Sequence, residues 1–161
     1  MNDFLAWTQA STLGHLMRES GPWTYAAVNL AHILGIGSLF GAVLILDLRL
    51  LGLWRHTPLA SLADAAAPIA AVGFGLAAVS GAGLLASNAT DYVGNPFLLI
   101  KFPAVALGFV NAVLVRRSRA WNAFRTRELS PKEHRQLALM GGTSLACWLT
   151  AITAGRMIGY W

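Results

Sequence analysis

Charge is scarce in this chain. Only 12% of its 161 residues are Asp, Glu, Lys or Arg, against about a quarter in an ordinary soluble domain. Cysteine is nearly absent. Cys147 stands alone, so no intramolecular disulfide can form, and inside an apolar run it reads as a small apolar filler. Period-two alternation is missing from the apolar runs, which argues against a membrane β-barrel. The opening "MNDFLAWTQA" has no basic stretch, and the first apolar run starts too late for a cleavable signal, so that run is expected to stay as an anchor. No repeat of 20 to 50 residues occurs. No phosphate loop, nucleophile elbow, kinase motif set, HxxxH, CxxC or Met-rich cluster is present.

What the chain has instead is hydrocarbon. Hydrophobic residues make up 56% of it, and mean hydropathy is +0.56. Four apolar stretches carry the excess, at about 23–46, 65–86, 97–115 and 137–155. A bilayer core about 30 Å thick is crossed by roughly 20 apolar residues of helix, and a helix satisfies its own backbone groups in lipid. The expected fold is all-α: an integral membrane four-helix bundle, one domain over 1–161. Residues 2–20 are too polar to span. "FLAW" and "LGHLM" suit an interfacial helix, ended by "SGPW" before the first span.

Basic residues set the expected orientation. Arg49 and Arg55 lie at the link between spans one and two. Arg116, Arg117, Arg119, Arg125, Arg127, Lys132 and Arg135 lie between spans three and four. The intervening "SNATDYVGNP" has Asp91 and no cation. Cytoplasmic loops collect Lys and Arg. The reading is a bacterial inner-membrane protein, multi-pass, with both termini outside. The net charge of +5 then needs no nucleic acid. Trp7, Trp23, Trp121 and Trp161 fall near the expected interfaces as anchors.

Small residues recur at helical spacing: Ala31, Gly35, Ser38 and Ala42 in span one; Gly73, Ala77 and Gly81 in span two; Ser144, Ala151 and Gly155 around Trp148 in span four. Such ridges let helices approach closely in lipid, and a homo-oligomer is compatible with them. Pro68 is expected in the first turn or two of span two, and Pro103 in the second turn of span three.

The polar groups inside the spans are the candidates for function. At 100° per residue, Tyr25, Asn29, His32 and Asp47 fall within an arc of about 60°, a polar stripe. Arg49 points roughly opposite Asp47 and should snorkel to the inner interface, leaving Asp47 to an ion pair with a neighbouring helix. His32 lies about 14 Å below the outer end of its span, and Lys101 about 7 Å inside the third. Asn111 lies deeper on nearly the same side, and Arg156 enters span four from outside. Intramembrane ionisable groups usually face the bundle or a cavity.

His32, Lys101 and Arg156 therefore form the expected cofactor cluster, with Asn29 and Tyr25 beside them. Neutral imidazole is a metal and haem ligand, and the cations suit a haem propionate. The plainer alternative is a His32 bonded to a backbone carbonyl or to an Asn, with Lys101 and Arg156 snorkelling outward. A second axial ligand is not evident among His15, His56 and His134.

Three stretches carry a family resemblance: "LAHILGIGSLFGAVLILDLRLLGLWRH", "APIAAVGFGLAAVSGAGLL" and "FLLIKFPAVALGFVNA". Together they resemble the four-helix membrane proteins of the HemJ-type protoporphyrinogen oxidase family and, more distantly, the CopD-type copper-resistance membrane domain. The resemblance covers about two thirds of the chain. It implies haem b binding through His32 and Lys101, with Arg49 in place of the family's arginine at the helix end. The family's further histidine around helix three has no counterpart here; Asn111 is the nearest polar residue.

Three functions follow as expectations. One is a haem-b redox module, a membrane oxidoreductase passing electrons between quinone and a periplasmic redox partner. Another is copper or metal-handling transport through His32. The third is a non-enzymatic membrane subunit whose polar stripe fixes helix packing.

Overall fold

A computed structural model describes residues 2–161. Among them every regular element is helical, with seven α-helices and no strand. They are α1 (Asn2–Ala10), α2 (Thr12–Glu19), α3 (Gly21–Leu50), α4 (Leu59–Ser87), α5 (Pro96–Arg117), α6 (Arg119–Ala123) and α7 (Pro131–Met157). Short 3-10 turns cover Ala89–Tyr92 and Ile158–Tyr160. Helices α3, α4, α5 and α7 are long and apolar enough to cross a membrane. Each contains one of the four apolar runs and continues past it, because helix-end signals lie in the polar flanks rather than in the hydrocarbon.

Those signals are explicit. Ser130 caps α7: its Oγ accepts from the Glu133 N–H at 3.4 Å, and the Glu133 carboxylate accepts from the Ser130 N–H at 2.8 Å. This reciprocal box, with Pro131 at the first helical position, satisfies N–H groups that have no partner within the helix. Helix α3 ends in a Schellman motif. The Leu53 N–H donates to the Leu48 carbonyl at 3.0 Å and the Gly52 N–H to that of Arg49 at 3.1 Å. Gly52 takes φ +106°, a conformation that favours glycine. Because α4 starts at Leu59, Pro68 lies well inside it rather than in its first two turns. The missing Pro68 N–H removes one rung of the ladder.

The chain divides into two compact units. The first runs up to Leu39 and includes Ala70–Asn95. Its N-terminal segment is two short helices, not one. Ser11 separates them and caps α2 by accepting from the Gly14 N–H at 3.3 Å. Pro22 does not end this segment; it sits in the first turn of α3, after Gly21 at φ +79°. Helix α1 packs against α2 and the Ala89–Tyr92 turn. Gln9 Oε1 accepts from the Thr90 N–H at 2.7 Å and its hydroxyl at 2.8 Å. Arg18 donates to the carbonyls of Gln9 and Ser87 at 3.0 and 3.3 Å. Helices α3 and α4 meet where a Cβ on Gly35 would lie 2.6 Å from the Ala77 nitrogen, and one on Gly73 2.6 Å from the Leu39 nitrogen.

The second unit comprises Phe40–Ile69 and Pro96–Trp161. Helix α5 packs along α7, and Trp148 fills the groove over Gly108, whose added Cβ would come within 3.1 Å of the indole. The buried face of α7 is Leu137, Gly141, Ser144, Trp148, Ala151 and Ala154, a helical stripe that includes Ser144 and Ala151 of the expected small residues, while Gly155 is half-buried beside it.

Candidate functional site

His32 belongs to the first unit, on α3, and is half-buried against α4. Its Nδ1 lies 2.9 Å from the Ala77 carbonyl oxygen and 3.2 Å from Ser80 Oγ. Ser80 gives its own hydroxyl proton to the Leu76 carbonyl. Both neighbours of Nδ1 are therefore acceptors, and Nδ1 carries the proton. In the neutral ring the lone pair then sits on Nε2. Gly81 makes room for the imidazole: an added Cβ there would lie 2.8 Å from Cε1. An α4 carbonyl, a serine and a glycine thus fix the ring's tautomer and plane, the type of outer support that ligating histidines have.

Tyr25 and Asn29 share the first unit but are exposed. Tyr92 lies near Tyr25; burial first, then the Tyr25 and Asp91 neighbours, push its phenol above the ordinary value. His15 is exposed on α2, whereas Met17 is buried, with its sulfur 3.4 Å from where a Cβ on Gly83 would stand.

The second unit holds the other candidates. Lys101 on α5 is half-buried and lies over Gly155 of α7, its Nζ 3.3 Å from where a Cβ would be. Arg156 is exposed; it donates to the Tyr160 hydroxyl and stacks over that ring at 4.5 Å. Asn111 is buried and donates from Nδ2 to the Met140 carbonyl at 3.0 Å, tying α5 to α7.

Asp47 departs from expectation. Among the described residues the ion pairs are Arg125–Asp64 and Arg127–Glu133, so Asp47 has no cation partner. It is 5% exposed and packed against Gly141, with the Ser144 hydroxyl facing its carboxyl and Oδ2 without a hydrogen-bond partner. Arg49 is engaged elsewhere, donating from Nε to the Thr57 carbonyl at 2.9 Å and from Nη2 to that of Arg55 at 3.2 Å. It folds the α3–α4 link back onto the helix end. His32 faces α4 within the first unit, and Asp47 faces α7 within the second.

Among the described residues, no three His, Cys, Asp or Glu side chains gather closely enough to hold a metal ion. The bond from His32 to a backbone carbonyl is the plainer alternative of the sequence analysis, with Ala77 as its partner; the contact with Ser80 and the use of Arg49 as a loop clasp went unseen in the sequence. Ser80, one residue before the glycine that admits the ring, is the local signal for that contact. Neither a curated protein nor a solved structure matches the chain. Residues 4–161 match a described family, and the chain belongs to it: the family of unknown function DUF6644.

Proposed function

We propose that the protein is a multi-pass bacterial inner-membrane four-helix bundle with both termini outside, and that it serves as a haem-b redox module. The observation that carries the proposal is the Nδ1–H bond from His32 to the Ala77 carbonyl. It orients the ring and fixes its tautomer, as the outer hydrogen bond of a ligating histidine does. When bound, haem b supplies one-electron transfer. Lys101 and Arg156, in the second unit, have no carboxylate partner among the described residues and are no part of the evidence for this site. Quinone and a periplasmic redox protein are the electron partners proposed. The basic links, on the cytoplasmic side in this reading, support the orientation.

A second reading has its own observation. His32 joins α3 to α4 through Ala77 and Ser80, which is what a non-enzymatic membrane subunit would use for packing. An absorption spectrum of the full chain, purified in detergent after expression with ample haem, separates the two. The haem reading expects a Soret band that His32→Ala abolishes. A colourless protein whose melting temperature falls in His32→Leu establishes the packing reading instead.

A further inference from the structure

A cavity of about 610 Å³ opens in the second unit between the link after α3 and the first turns of α7. Arg49, Arg55, His134 and Arg135 line it, and no carboxylate does. The adjoining cavity of about 390 Å³ shares Arg49 and His134 but differs in charge: Glu128 lines it, and its Arg127 is held by both oxygens of Glu133 at 2.6 and 2.9 Å.

In the larger cavity the three arginines have no ion pair among the described residues. Arg49 spends Nε and Nη2 on loop carbonyls, and Arg55 spends Nε on the Gly52 carbonyl at 3.2 Å. A guanidinium has five N–H donors, so both keep donors in reserve, and the exposed Arg135 has no side-chain hydrogen bond among the described residues. Like charges gathered without a counterion repel, and an anion removes that cost. The planar fork matches phosphate oxygens. Leu50, Leu51 and Ala138 supply an apolar side suited to the carbon part of a phosphate ester. Basic pockets beside membrane spans bind phosphate head groups in this way.

We propose that this cavity is a binding site for a phosphate group, presented by an anionic phospholipid or by free phosphate. The site is independent of the haem reading. The test titrates the purified full chain in neutral detergent with dioctanoyl phosphatidylglycerol and, separately, with inorganic phosphate. Thermal shift and native mass spectrometry are the readouts. One saturable ligand per chain is expected, weakened at least tenfold in Arg55→Gln and in Arg135→Gln. Arg49 is left intact because it clasps the link. Phosphatidylglycerol binding that inorganic phosphate does not displace assigns the site to a lipid; displacement, or phosphate binding alone, assigns it to free phosphate. Absence of saturable binding by either probe overturns the proposal. So does binding that both variants leave unchanged, or equal weakening by Arg117→Gln on the exposed end of α5, which would reduce the effect to surface charge.

Discussion

Asp47 shows how a residue's meaning depends on its neighbour. A carboxyl near the end of a span invites a cation, and the sequence offers many. The second unit instead packs it on Gly141, with one oxygen left without a partner. An unpaired buried charge costs several kcal/mol, whereas a neutral group of the same shape avoids that penalty. Asp47→Asn keeps the shape and removes the charge. Its melting temperature is expected to equal or exceed that of the parent chain in a detergent unfolding assay. A fall of several degrees would mean that a cation does reach this carboxyl. His32 makes the complementary case. Its neighbours Ala77 and Ser80 decide which nitrogen carries the proton, and that decision determines what chemistry the ring can perform.

Elements are held by close approach and by caps. The contact of Gly35 and Gly73 leaves no room for a side chain, since each added Cβ would come within 2.6 Å of a backbone nitrogen. Helix association in lipid depends on such approach. Gly73→Leu should therefore force α3 and α4 apart, at a cost of about 1–3 kcal/mol for overpacking. It should lower the melting temperature, while Gly75→Leu should not, because nothing lies within 4 Å of an added Cβ at Gly75. Equal effects of the two substitutions would show that the glycines matter for backbone freedom and not for contact. The small-residue pattern was readable beforehand because helical period alone aligns Gly73, Ala77 and Gly81. The starts of α4 and α7 were not readable from hydropathy, because Leu59 and Pro131 begin helices in polar sequence, the second through the Ser130–Glu133 box.

At the scale of the whole molecule, the long helices expose Leu30, Ile33, Val72, Val79, Leu107 and Leu139, surface that water would not tolerate and acyl chains would. Orientation is a question of charge. In a Cys147→Ala background, Thr126→Cys in the basic link should react with an impermeant thiol reagent only in inside-out vesicles. Asp91→Cys, before α5, should react only in right-side-out ones. The reverse pattern would invert the proposed topology. Both positions are exposed, so accessibility follows the side of the membrane.

Composition and helical period were enough to place four apolar helices, the N-terminal segment before them, the basic links and the close-packing glycines. Each of these depends on residues near one another along the chain. Only the tertiary structure decided that His32 bonds Ala77, that Asp47 lacks a counterion, that Arg49 holds a loop, and that three arginines share a cavity. A helical wheel gives a side chain's direction about its own axis. It does not say which atoms of another helix wait there, and in these cases those atoms set the chemistry.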